Sequence, residues 1–447
     1  MPGLEQYGYT QQLKRALGTR DLVIYGMILM VPIAPFAIFG FVSQESRGMV
    51  ALAYLIGMVG MLFTALSYAA MSRAFPTAGS VYTYAQRGLH QAAGFLAGWL
   101  ILLDYVLIPS LLYILSAVAL RSLWPGVPAW TWMVGFIAIN ALVNLRGIEF
   151  TAAANRYLLA FELATLALFV VAGLVALYAG HGAGSLTLRP LYDAQAFSVP
   201  TVVGATSIAV LSFLGFDGIS TLAEESRGGV HGVGRATLLS LVLVGAMFIA
   251  QTWIAADLAQ GMVFESTDSA FYEVAQVAGG VWLKALVLCA VAISNGIANA
   301  MAAQAAVARI LFAMARDRQL PAVLARVHPR FQTPHVSTLL VTAVSLVVSL
   351  GFLDSVEDLT RLVNFGALCS FFLLHVAVIY HYFVRERSGR WVYHLLCPLL
   401  GLVVIGYVLY EMDLTAKKLG LAWLAIGAVY YLVLTRVLRR SASLHLQ

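Results

Sequence analysis

The sequence predicts an all-α membrane protein with twelve transmembrane helices, on three observations. Of the 447 residues, 61% are hydrophobic and only 11% are charged, whereas a soluble globular chain carries about 25% charged residues. The apolar residues also gather into runs of bilayer-spanning length, about 20 residues each. No run shows the strict alternation of a barrel strand, and backbone amides facing lipid must be satisfied within their own segment, which leaves the helix.

The spans follow in order along the chain. Span 1 (22–43) comes after Lys14, Arg15 and Arg20 without a small-residue cleavage site, so it reads as a retained helix rather than a signal peptide. Span 2 (50–71) ends before Arg73 and Arg87, span 3 (94–119) holds Asp104, span 4 (129–146) closes on Arg146, and span 5 (156–178) opens on Arg156. Span 6 (199–224) contains "LSFLGFDGISTLAEE" and precedes Arg227 and Arg235, which lead into span 7 (236–257). An acidic loop with Glu265, Asp268 and Glu273 precedes span 8 (280–308), and Arg316, Arg318, Arg326 and Arg330 precede span 9 (335–353). Asp354, Glu357 and Asp358 separate it from span 10 (360–383), Arg385, Arg387 and Arg390 introduce span 11 (394–411), and Arg439 and Arg440 follow span 12 (418–436).

The arginine-rich connections all fall on one side and the acidic loops on the other. The positive-inside rule then places both termini in the cytoplasm, as an even span count also requires. Residues 1–21 and 437–447 are short cytoplasmic tails, 22–383 a ten-helix core (22–178 and 199–383), and 394–436 two accessory spans. The net charge of +6 is scattered between spans, which marks topology rather than nucleic-acid binding. Cys289, Cys369 and Cys397 lie in apolar runs without a CxxC or zinc spacing and read as small core residues. No HExxH, GxSxG or Walker loop is present, nor a repeated selectivity filter. Neither an enzyme nor a channel is expected, and no metal or cofactor.

Two spans carry interruptions at matching places. In span 1, "ILMVPIAPFAIFG" has Pro32 and Pro35, each lacking an amide hydrogen and clashing with the preceding turn. In span 6, Gly215 and Gly218 flank Asp217. Five spans apart, the two enter the membrane from opposite sides, and paired interruptions in oppositely oriented halves point to a midplane binding site. Taken singly, either is an ordinary kink or close-packing device.

Several long motifs, in order, give a family resemblance: "FPTAGSVYTYAQRGL" (75–89), "GFLAGWLILLDYVLIP" (94–109), "NLRGIEF" (144–150), "SFLGFDGISTLAEES" (212–226), "ARILFAMARDRQLP" (308–321), "VHPRFQTP" (327–334) and "LVNFGALCSFF" (362–372). Together they resemble the amino acid–polyamine–organocation permeases, and "LLDYVLIP", "SFLGFD" and "NFGALCSF" most resemble the putrescine importer branch. The resemblance implies a LeuT-type fold, with spans 1–5 and 6–10 as inverted repeats plus two more. It also implies secondary active transport across the cytoplasmic (inner) membrane, usually proton-driven. Amino-acid-carrying relatives often hold the substrate carboxylate on bare amides of a glycine-serine-glycine stretch. Here "MVPIAPF" stands instead, with Pro32 and Ala34 at the substrate position, and its prolines remove amide donors. The departure favours an amine without a carboxylate.

An ionisable side chain at mid-membrane costs about 2.5–3.5 kcal/mol and by default marks function. Asp217, beside the break, reads as the counter-ion of a substrate ammonium or as a protonation site, against a structural hydrogen bond across the break. Asp104 reads as a second anchor for the distal amine of a diamine, against a buried structural pairing. Tyr105 offers a hydroxyl or a cover for methylenes, against packing. Glu162 stands where some proton-coupled relatives place a lysine. It reads as a proton carrier or as the partner of an arginine, and the lysine mechanism does not transfer.

Phe213 and Phe216 flank the break and would close over an alkyl chain and its cationic end, a contact worth roughly 0.5–2 kcal/mol, against lipid-facing packing. Gly215 supplies the break itself, and Asn364 a polar contact or a helix–helix hydrogen bond. Glu224 and Glu225, near Arg227, read as an inner gate or ion-pair pattern, and His375 as a packed polar contact. Ser212 and Thr221 carry no specific signal. In span 8, "NAMAAQAAVARI" lacks the hydroxyl pair often used for sodium. The expected function is proton-coupled import of a putrescine-like amine by alternating access, with amine, proton and lipid as partners and no nucleic acid. An amino acid permease or amine/amino acid exchanger is the alternative.

Overall fold

The computed structural model describes residues 17–75, 80–146, 151–226, 229–316, 320–331 and 333–437. Within them every regular segment is helical, and a single isolated bridge joins Leu17 to Ser226. Among the described residues nine helices are long and apolar enough to cross a bilayer, and a bent pair, taken as one span, makes a tenth. That pair is α1 (Thr19–Met30) and α2 (Pro35–Glu45), meeting at 57°. Two further expected spans are also helices, α6 (Ala129–Arg146) and the shorter α13 (His335–Gly351).

The remaining long helices are α3 (Val50–Ala74), α5 (Gln91–Leu123), α7 (Thr151–Tyr178), α9 (Gly229–Leu258), α14 (Val356–Val378), α15 (Cys397–Glu411) and α16 (Leu414–Leu432). Span 6 begins as α8 (Val199–Ala209), and span 8 comprises α11 (Val281–Ile293) and α12 (Ala300–Arg316). Two short helices, α4 (Ser80–Gly88) and α10 (Ala270–Gly279), occupy stretches that were expected to be connections. Both are too short to span and bury one face, α4 against α5 and α10 against α7 and α11.

The bundle is built around two extensive contacts, α3 on α9 and α14 on α5. Trp99 on α5 and Trp423 on α16 stack at 4.7 Å, and each indole N–H donates to the other's backbone carbonyl at 2.9 Å. Gly427 admits Trp99, because a Cβ there would lie 2.3 Å from its ring. His375, on α14, is fully buried between the hydroxyls of Ser67 (2.8 Å) and Thr64 (3.3 Å) of α3. It is the packed polar contact expected of it.

The interruptions fall where the proline and glycine chemistry puts them. α1 stops at Met30, Val31 takes a left-handed φ of +54°, and Pro35 opens α2 at a position where a missing N–H costs nothing. In span 6 the chain leaves α8 through a 3-10 turn, Val210–Phe213, passes through Gly215 with φ +107°, and continues as the 3-10 helix Phe216–Glu225. The two breaks touch: a Cβ on Gly215 would meet the Leu29 carbonyl oxygen at 2.7 Å. A third irregularity had no counterpart in the expected spans. Ser294–Asn299, between α11 and α12, is π-helical. Its Gly296 carbonyl accepts from Asn140 Nδ2 at 2.9 Å, and Asn140 also donates to the Tyr113 hydroxyl at 3.0 Å.

Candidate functional site

A cavity opens where the two breaks meet. Its polar wall comes from Asp217 and Ser212 in span 6, Asp104 and Tyr105 on α5, and Asn295 and Asn299 in the π-helical turn. Its remaining wall is mostly aliphatic, and among the described residues no lysine, arginine or histidine lines it.

Asp217 is 2% exposed and stands two residues after the positive-φ Gly215. The turn beside it is closed by the Gly218 amide, which donates to the Gly215 carbonyl at 3.0 Å. Tyr105 adds its hydroxyl, donating to Asp217 Oδ2 at 2.6 Å. Asp217 thus combines cavity exposure with the structural bonding that had stood as its alternative. Tyr105 acts through its hydroxyl rather than as packing alone.

Asp104 is 3% exposed, and its Oδ1 has no hydrogen-bond partner. It precedes Tyr105, which bonds Asp217, and both carboxylates line the cavity. The two carboxylates therefore flank one end of the cavity. Asp104 was expected as a second anchor for the distal amine of a diamine, and it stands on the same wall as Asp217, next in the chain to the tyrosine that bonds it.

Other residues singled out in the sequence stand elsewhere. Ala34 and Gly215 line the cavity. Pro32 does not, and its carbonyl accepts from Gln251 Nε2 at 3.0 Å. Phe213 and Phe216 are fully buried behind the break rather than over the cavity. Phe213 packs with Tyr54 and Phe248, and Phe216 with Tyr68 and Phe371. Neither ring is on the cavity wall, so the expected closure of Phe213 and Phe216 over the substrate is not what this structure shows. Asn364 donates to the Ser207 carbonyl at 2.7 Å, holding α14 to α8, and is not on the wall. Glu162, 2% exposed on α7, lies behind the wall, and the polar side chains acting on it are Ser294 and Asn299. No arginine pairs with it among the described residues. Glu224 and Glu225 lie on the 3-10 helix of span 6, but their side chains, like that of Thr221 and all of Arg227, lie outside the described residues.

Asn295, Asn299 and Ser294 were not recognised as site residues from the sequence. The available signal was "SNGIAN" (294–299), two amides and a hydroxyl around a glycine inside an otherwise apolar span. Such polar density in lipid is costly unless satisfied or used.

The arrangement suits a small cation: enclosed carboxylates, an aromatic hydroxyl, amides and an aliphatic wall. Comparison with known proteins agrees with a carrier. The amino acid permease family profile matches residues 22–434. The chain is 33% identical over 440 residues to the low-affinity putrescine importer PlaP of Escherichia coli K12, covering 96% of this chain and 95% of that one. It is 26% identical over 456 residues to the branched-chain amino acid permease BcaP of Bacillus subtilis 168, covering 95% and 94%. It is also 26% identical over 472 residues to the methylthioribose transporter of the same organism, covering 96% and 95%.

Proposed function

The chain belongs to the amino acid permease family of the amino acid–polyamine–organocation superfamily, and from that premise we propose that it imports a small, putrescine-like cationic amine into the cytoplasm. Transport is secondary active, by proton symport and alternating access, in the inner membrane with both termini cytoplasmic. The observation that carries this reading is the pair of buried carboxylates, Asp104 and Asp217, on a cavity wall that has no cationic side chain among the described residues.

The charge balance explains why a proton and an amine travel together. Two carboxylates in a low-dielectric space are costly to move across a membrane. With one carrying a proton and the other facing an ammonium, the loaded acid end is neutral. Asp217 and Glu162 are the candidates for the coupling proton. Span 1 explains the preference for an amine over an α-amino acid. In its gap the Val31 amide already donates to Met27 O at 3.0 Å, the Ala34 amide to Val31 O at 2.8 Å, and Pro32 has no N–H. Few donors remain for a substrate carboxylate.

Access alternates as the group holding spans 1 and 6 rocks against a scaffold built on α5 and α14, with Glu224 and Glu225 at the inner gate. The twelve-span, five-plus-five architecture belongs to the same proposal. Similarity to BcaP supports a second reading, an amino acid permease or amine/amino acid exchanger. A thermal-stability screen of the purified protein against putrescine, n-butylamine, leucine and lysine tests both. Stabilisation by the amines supports the first reading, stabilisation by amino acids alone the second, and no shift with any amine overturns the first.

A further inference from the structure

Asn299 is 5% exposed, and neither its Oδ1 nor its Nδ2 has a hydrogen-bond partner, although it lines the cavity. Ser294 Oγ and Glu162 Oε2, on its far side, are likewise buried and unpartnered. Ser294 and Asn299 face the Glu162 carboxylate without closing a hydrogen bond. Unpaired buried polar groups are expensive, so each such cluster calls for an explanation. The π-helical turn creates this one, and Asn140 holds that turn by its Gly296 carbonyl.

The position of this cluster relative to the acid end can be read from two contacts. Gly296 abuts Ser116, and Gly98 abuts Met314. These contacts are eighteen residues apart on α5 and eighteen apart on span 8, so the two run antiparallel in step. Asn299 is then level with Tyr113, which Asn140 ties to Gly296. Asp104 lies nine residues away along α5, about 13 Å at the rise of an α-helix. Ile108 and Leu111 line the wall in between. With inward-reaching side chains and a hydrogen bond of about 2.9 Å at each end, roughly 5–8 Å separates two bound nitrogens, the span of an extended chain of four or five methylenes.

We infer that Asn299, with Ser294 and the Glu162 carboxylate behind it, receives the second ammonium of a linear α,ω-diamine whose first ammonium lies at Asp104 and Asp217. The inference rests on the amine-import reading and makes its substrate class a diamine. Asn299 Oδ1 accepts from the ammonium while its Nδ2 donates toward Glu162, so the amide passes the carboxylate's charge to a ligand that the carboxylate does not touch. Three buried carboxylates then balance two ammonium groups and one proton. Glu162 becomes a counter-charge, and the coupling proton falls to the acid end.

The test is binding of 1,4-diaminobutane and of n-butylamine to purified protein, for wild type, Asn299→Leu and Glu162→Gln. Both substitutions are expected to lower diamine affinity by about tenfold more than butylamine affinity, about 1.4 kcal/mol. Equal losses for both amines, or no loss for either, overturn the inference, and equal losses with Glu162→Gln return that residue to proton carriage. Should a variant not fold, a series of diamines from three to eight carbons on the wild type decides. An affinity maximum at four or five carbons supports the subsite, and a flat series overturns it. Failure of the underlying import reading looks different, since wild type would then bind neither amine.

Discussion

Tyr105 donates its hydroxyl to Asp217 across 2.6 Å, linking an unbroken helix, α5, to the break in span 6. The bond orients the carboxylate and fixes span 6 against the scaffold at the cavity. A hydrogen bond to a charged group is worth about 1.5–3 kcal/mol. Tyr105→Phe is therefore expected to weaken amine binding by roughly 10- to 100-fold, read by titration calorimetry, with the fold retained. Affinity equal to wild type would show that the bond plays no part in presenting the carboxylate.

Asp217→Asn removes the charge while keeping an acceptor for Tyr105. Stabilisation by putrescine in a melting experiment should vanish, and gradient-driven uptake into proteoliposomes should cease. Asp104→Asn, lacking a bonded partner at Oδ1, should cost less folding stability than Asp217→Asn but also reduce affinity for mono- and diamines alike. A selective loss of diamines with Asp104→Asn would restore that residue as the distal anchor.

Gly215→Ala tests the break in span 6. The residue holds φ +107°, and a Cβ would stand 2.7 Å from the Leu29 carbonyl oxygen. Left-handed strain alone costs of order 1–3 kcal/mol, and the clash adds to it by pushing span 1 away. A lower melting temperature together with lost uptake is the expected result. Wild-type values of both would mean that the breaks need not touch.

Trp423→Ala removes an indole that stacks on Trp99 at 4.7 Å and donates to the Trp99 carbonyl, while the backbone carbonyl that accepts from the Trp99 indole remains. Aromatic stacking contributes about 0.5–1.5 kcal/mol beyond burial. The melting temperature should fall while amine affinity is maintained, since α16 does not line the cavity. A change in affinity at constant stability would contradict a purely structural role for α16.

Asp413 caps α16, accepting from the amides of Thr415 at 2.7 Å and Ala416 at 3.3 Å, with Arg361 at 3.6 Å. Slight burial, which raises its pKa, is outweighed by these amide bonds, so the carboxyl titrates below its ordinary value. A depressed native pKa stabilises the fold above the unfolded carboxylate range, and that contribution disappears as pH falls through the native value. Asp413→Ala should cost about 1 kcal/mol at neutral pH, as lost caps do. The difference in melting temperature from wild type should narrow on acidification, and a gap independent of pH would assign the loss to something other than the charged cap.

The amino-acid sequence by itself determined what depends on local chemistry. Runs of apolar residues specified helices, Pro32, Pro35, Gly215 and Gly218 specified where two of them part, and Asp104, Glu162 and Asp217 announced themselves as charges in lipid. Tertiary structure alone decided which way side chains face. A span that is apolar all round has no periodicity to mark its inner side, so Phe213, Phe216 and Asn364 looked as near the substrate as Asp217, yet they pack behind it. Asn299 was not singled out in the sequence and stands on the cavity wall, at the end of a π-helical turn held by Asn140 from another helix. The pairing of Asp104 with Asp217 at one end follows from a single hydroxyl reaching across 112 residues of chain, a contact that only packing creates.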